Sequence, residues 1–178
     1  MVNKETKIFQ KIVIWHENAQ VSNIRLYTSE GLIDGQISYF KNGQQKVQFE
    51  MKNGLVWNSK SWKPNGEPVE EAVVNGNGKS ITYQDNGDLG YIEPFKNGKL
   101  QGIAVVYGDQ GRIVKKWSYK DGEANGDVVT YGDEGRIVEK MTYKNGEPNG
   151  DWLIYDSNGN ISSKYTYKNG ELIEPFPN

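Results

Sequence analysis

Cysteine is absent from the 178 residues. That excludes a disulfide framework and any thiolate metal site, and it leaves the redox compartment open. Histidine occurs once, as His16, so a site that needs two histidines from one chain is excluded. His16 stands in the sequence HEN after Trp15, with no sign of the positioned partner a general base requires, and reads as a polar turn residue. Long apolar runs are lacking as well: nothing approaches the ~18 residues of a membrane-spanning helix. The opening MVNKETKIFQKIVIWHEN holds one short apolar stretch, Ile12 to Trp15, shorter than the core of a signal peptide. As written the chain is expected to be cytoplasmic, the alternative being an exported protein that has lost its leader. Charge of one sign is missing too. The 21 Lys+Arg against 23 Asp+Glu leave a net charge of −2, which argues against a nucleic-acid partner.

Apolar residues make up 35%, lean for a thick globular core. Yet the chain holds 5 Trp, 11 Tyr and 5 Phe, and disordered chains are poor in aromatics. Few aliphatics with many aromatics suit a thin structure, such as a sheet with aromatic faces. The 21 Gly against 6 Pro imply many tight turns.

The turns recur. Residues 107–130 read YGDQGRIVKKWSYKDGEANGDVVT, and residues 131–154 read YGDEGRIVEKMTYKNGEPNGDWLI. Residues 83–106 and 155–171 align to the same columns. Tyr83, Tyr107, Tyr131 and Tyr155 share one column; Gly87, Gly111, Gly135 and Gly159 share another. Phe95, Tyr119, Tyr143 and Tyr167 share a third, and Gly102, Gly126 and Gly150 a further one. A repeat at fixed period decides the architecture before any local reading does. Units begin near residues 15, 39, 62, 83, 107, 131 and 155; the first half is a degraded copy, and the units starting at 39 and 62 have lost residues and most of the consensus.

Within a unit, DVVTY is a β-branched run, GDEG a turn, RIVEKMTY a longer run and KNGEPNG a wider turn. The longer run alternates, with Ile137, Glu139, Met141 and Tyr143 on one face and Val138, Lys140 and Thr142 on the other, as in a half-buried strand. A lone hairpin is marginal, so stability must accumulate along the array. The expected fold is all-β: a single elongated, twisted antiparallel sheet of tandem β-hairpins about 24 residues long. It is expected to be a single repeat domain over 1–178, with an initial strand at 1–14, irregular repeats at 15–82, regular repeats at 83–171 and a C-terminal tail at 172–178. Gly87, Gly111, Gly135, Gly159, Gly126 and Gly150 are expected to be structural turn residues with positive φ.

The pattern Y-x-x-x-G-x-I…Y-K-N-G-x-x-N-G-x-[WV]-x-x-Y, best seen in YKNGEPNGDWLIY (143–155) and YKDGEANGDVVTY (119–131), resembles the MORN-repeat variant family of bacterial proteins. The resemblance covers 83–171 well and 15–82 loosely. It implies a binding or dimerisation scaffold without catalytic residues. Some members of the family are proposed to touch phospholipid headgroups and some carry an antitoxin label. The expectation is therefore a non-enzymatic scaffold that binds another protein, with homodimerisation or antitoxin-like partner binding as forms of it. The alternative is a ligand-binding module for lipid headgroups or cell-surface carbohydrate. No cofactor is expected.

Trp57 and Trp62 lie in the irregular units and obey the repeat least, so they are the sequence's candidates for partner binding. Lys96, Lys120, Lys144 and Lys168 recur every 24 residues as candidates for headgroup contact, although Glu123, Glu147 and Glu171 follow three of them and would offset their charge. Asp85, Asp109 and Asp133 share a turn column, but the D-x-D-x-D-G pattern of a calcium loop is absent, and no metal site is expected. GNGK at 76–79 lacks the spacing of a phosphate-binding loop.

Overall fold

In the computed structural model, residues 10–175 are described; residues 1–9, most of the expected initial strand, and 176–178 lie outside this range. Every regular element is a β-strand except one short 3-10 turn at Asp109–Gly111. By its contacts the chain divides into two units. Unit 1 comprises residues 1–89 with 95–99, and unit 2 comprises 90–94 with 100–178.

In unit 1, strands β1 (Gln10–Trp15), β2 (Val21–Tyr27), β3 (Ile33–Tyr39), β4 (Gln45–Lys52) and β5 (Leu55–Ser61) form an antiparallel sheet in chain order. A short hairpin, β6 (Val73–Val74) with β7 (Asn77–Tyr83), follows. The strands therefore do not all join a single sheet, as the repeat had suggested, because β1–β5 form a sheet of their own. The cause lies just after β5. Pro64 and Pro68 each remove a backbone donor, and residues 63–72 are mostly turn-forming or charged. Only an isolated bridge, Trp62 to Pro68, survives there. The core of unit 1 is small. Phe40, Val47 and Val73 are buried, with Ser59, Ser61, Ser80 and Thr82 beside them in the buried class.

The next strand, β8 (Leu89–Lys96), contributes residues 90–94 to unit 2. It is followed by β9 (Lys99–Leu100), β10 (Gly102–Tyr107), β11 (Ile113–Lys120), β12 (Glu123–Tyr131), β13 (Ile137–Lys144), β14 (Glu147–Tyr155), β15 (Ile161–Lys168) and β16 (Glu171–Pro175). From β10 to β16 each strand pairs antiparallel with its successor, and the sheet is not closed into a barrel. Residues 172–175, expected in a tail, belong to β16, with Tyr167 opposite Leu172.

The two turns of a repeat are the reverse of their expected sizes. K-N-G-E is the tight one. Asn145 (φ 50) and Gly146 (φ 84) both take positive φ, and Lys144 stands opposite Glu147. This is a two-residue turn of the mirror-image type that suits strand twist, for which Asn-Gly is the preferred pair. Y-G-D-E-G-R is the wider connection, with the Gly132 N–H donating to the Arg136 carbonyl at 2.9 Å. E-P-N-G is consequently strand rather than turn.

Gly126 and Gly150 likewise lie inside β12 and β14, at bulges. Tyr143 pairs with Pro148 and Met141 with Trp152, so Asn149, Gly150 and Asp151 together oppose Thr142. Such extra residues demand unusual backbone angles, and Gly150 (φ 127) and Gly126 (φ 107) supply them. Gly87, Gly111, Gly135 and Gly159 have positive φ at the wider connections.

Adjacent hairpins are laced at their tips. The Gly146 N–H donates to the Ala124 carbonyl and the Gly170 N–H to that of Pro148, both at 2.9 Å. The Asn149 side-chain amide donates to the Asn169 oxygen at 2.9 Å.

Candidate functional site

Residues directly opposite in a ladder share a face of the sheet, so the registers of unit 2 sort its side chains into two surfaces. One row runs Ala104, Trp117, Val128, Met141, Trp152, Tyr165 across β10 to β15. Beside it on the same face lie Tyr119, Tyr143 and Tyr167. The rings contact one another. Trp117 lies 6.2 Å from Tyr119 and 5.8 Å from Tyr143 between centroids, and Trp152 lies 5.2 Å from Tyr165 and 6.3 Å from Tyr167. These separations are those of favourable aromatic pairs. Within unit 2 the strands touch chiefly their ladder neighbours, and all six rings are half-buried, as Trp57 and Trp62 are. The result is a ladder of aromatic pairs along one face.

Two carboxylates sit on this aromatic face. Glu139 accepts the Trp152 indole N–H at 2.6 Å through one oxygen and the Thr130 hydroxyl at 3.1 Å through the other. Glu93, at the β8 end, is largely desolvated. Its burial pushes the carboxyl above its ordinary range. Burial also raises the Tyr119 phenol, to which the Glu93 charge adds.

The opposite face alternates lysines with Val129 and Leu153, and two of its lysines are paired with aspartates. Lys140 meets Asp127 at 2.7 Å and Lys164 meets Asp151 at 2.8 Å, while the Thr142 and Thr166 hydroxyls donate to the same two carboxylates. The Lys164 ammonium, followed by Thr166, holds the Asp151 carboxyl below its ordinary range. Lys140 does the same for Asp127 against partial desolvation. A carboxylate whose folded pKa is depressed stabilises the fold above its unfolded value of about 4, and the contribution is lost as pH falls through the folded value. Both pairs are more than a third exposed, so each is worth only about 0.2–1 kcal/mol. Replacing both acids (Asp127→Asn with Asp151→Asn) is therefore expected to lower stability measured by urea unfolding by about that much per pair at pH 7 and low salt, and to change nothing at pH 2.

The sequence's own candidates are scattered. Trp57 is the extra residue of a bulge between β4 and β5. It is half-buried, with the Lys52 ammonium 4.3 Å from its ring centroid. Trp62 is half-buried too and tied into unit 1 by its N–H to the Lys46 carbonyl at 2.9 Å. Trp15, which the sequence did not single out, is 61% exposed.

Of the lysines, Lys96 ends β8 in unit 1, while Lys120, Lys144 and Lys168 end β11, β13 and β15. Each of these three stands directly opposite a glutamate: Glu123, Glu147 and Glu171. His16 contacts the Tyr39 carbonyl through Nε2 at 3.1 Å. Among the described residues no three His, Cys, Asp or Glu side chains gather as metal ligands, and no helix is long and apolar enough to cross a membrane.

The architecture is that of a tandem β-hairpin repeat protein, its neighbouring hairpins laced tip to tip. Residues 148–169, which run from the Gly150 bulge through β15, match the family model described as MORN repeat variant. The match covers that one stretch of the regular repeats. No curated protein matches the chain.

Proposed function

We propose that this protein is a non-enzymatic repeat scaffold that binds a protein partner on the aromatic face of unit 2. The observation that carries the reading is the continuous, half-buried ladder of contacting rings from Trp117 to Tyr167 on one face of the sheet. Rigid aromatic rings with few rotatable bonds are what interface anchors are made of, and these are already held in place by their neighbours in the sheet. This reading puts the partner site in the regular repeats, whereas Trp57 and Trp62 were the candidates from sequence.

A headgroup-binding lysine ladder is the weaker reading. Three of its four lysines face a glutamate across a two-residue turn, which cancels most of the field a phosphate would feel at a distance.

The test compares three proteins as bait at 0.15 M and 0.5 M salt: wild type, Tyr143→Ser with Tyr165→Ser, and a variant with Lys120, Lys144 and Lys168 changed to Gln. Circular dichroism checks the fold of each. The expected result is a partner retained at both salts by wild type and by the Gln variant, and lost by the Ser variant. Retention by the Ser variant would move the site off this face. Capture of anionic vesicles by wild type, abolished by the Gln variant or by 0.5 M salt, would favour the headgroup reading.

A further inference from the structure

The rings of this protein recurrently carry ammonium groups. Besides Lys52 over Trp57, Lys46 lies 5.4 Å from the Phe40 centroid, Lys115 lies 4.8 Å from Trp117 and Lys116 lies 5.4 Å from Tyr131. Lysine over an aromatic face is a favourable contact through the ring quadrupole. On the aromatic face of unit 2, Lys115 fills this role for Trp117 from two residues away on the same strand.

The next repeat has no such pair, since 24 residues after Lys115 and Trp117 stand Glu139 and Met141. The ring beside Glu139 is that of Trp152, which pairs with Met141 from the adjoining strand. The Glu139 carboxylate lies at the edge of the Trp152 indole, fixed by that ring's own N–H and by Thr130. Among the described residues, no lysine or arginine of the protein lies over Trp152. The nearby lysines of β13 and β15, Lys140 and Lys164, are held on the opposite face by Asp127 and Asp151. Trp152, Tyr165 and Tyr167 thus form a half-buried ring cluster with a carboxylate at its rim and, among the described residues, no cation over its rings.

Building on the scaffold reading above, we infer that this cluster is the seat of an arginine side chain of the partner protein, stacked on Trp152 and paired with Glu139. Three points select arginine. Each oxygen of Glu139 uses one lone pair, for Trp152 or Thr130, and a carboxylate offers about four acceptor sites in all, so N–H donors are still wanted. A quaternary ammonium has none. A guanidinium lying flat on an indole directs its donors sideways in its own plane, towards a carboxylate at the ring's edge. A lysine ammonium could meet one of the two demands well, but not both at once.

The experiment is an NMR titration of the whole protein with N-acetyl-arginine amide, following the Trp152 indole N–H, which is assigned with Trp152→Phe. N-acetyl-citrulline amide, which has the same shape without the charge, is the control. The expected result is a saturable shift with a dissociation constant on the order of millimolar, as suits one stacked cation with charge-assisted hydrogen bonds. Citrulline should not saturate, and the Trp117 indole should stay still. Glu139→Gln keeps an acceptor for the Trp152 indole and should weaken binding at least about fivefold, with the Trp152 resonance of the free variant still dispersed.

The inference is overturned if the shift fails to saturate, if citrulline matches arginine, or if Glu139→Gln binds arginine as wild type does. It is also overturned if tetramethylammonium chloride saturates the site where arginine does not. A partner lost with Tyr143→Ser and Tyr165→Ser, alongside any of those results, would leave the scaffold reading standing and remove only this one.

Discussion

Gly150→Val is expected to destabilise unit 2 by about 2–4 kcal/mol, the sum of backbone strain and overpacking. Gly150 has φ +127, a region that L side chains rarely adopt, and a Cβ placed on it would stand 3.1 Å from the Thr142 Cβ. Valine adds two γ-carbons to that contact. The strain cannot be relieved by a turn flip, because Gly150 is the middle of three bulge residues between two register-locked pairs, Tyr143 with Pro148 and Met141 with Trp152. On its other side it pairs with Tyr167. For a chain of this size the melting temperature should fall by roughly 5–15 °C.

The comparison that gives the number meaning is Gly159→Asn. Gly159 also has positive φ, at +83, but nothing lies within 4 Å of a Cβ built there, and asparagine tolerates the left-handed region. Its cost should stay below about 1 kcal/mol. Equal losses at the two positions would mean that the bulge is not closed as described.

Phe40→Ala should cost about 3–5 kcal/mol, the usual range for a buried phenylalanine, read as lost amide-exchange protection in β3, β4 and β5. Phe40 is 1% exposed, and among the described residues of unit 1 only Val47 and Val73 join it as buried apolar side chains. Few neighbours are at hand to collapse into the space it leaves. Its backbone also anchors a turn, with its N–H donating to Gln44 and its carbonyl accepting from Gly43, so the side chain's loss also loosens the entry to β4. A thermal shift under 2 °C would show that the core of unit 1 lies elsewhere.

The repeat made the strand content, the alternation and the Asn-Gly turns legible, because each depends on contacts within one repeat or with its neighbour. The turn sizes were misread, since Gly126 and Gly150 look like turn glycines when only composition is weighed. That they are bulge residues follows only from ladder registers. The network of Asp127 with Lys140 and Thr142, and of Asp151 with Lys164 and Thr166, could have been found in the sequence: all three residue types recur at a spacing of 24. It was missed because the partners lie 13 and 15 residues apart, too far for a local reading and too close for a comparison between repeats.

Trp57 and Trp62 depart from the pattern because they sit at a bulge and at a broken ladder. The separate sheet of β1–β5 was hidden for a related reason. Pro64 and Pro68 were visible, but a break in backbone pairing is a property of the ladder, and no periodicity reports it.

The most direct test of the account is hydroxyl-radical footprinting of the protein alone and with its captured partner. The rings from Trp117 to Tyr167 should react in the free protein and be protected in the complex, while Trp57, Trp62 and the lysines at the hairpin tips change little. Protection centred on Trp57 and Trp62, or on the lysine tips, with the aromatic face still reactive, would contradict it.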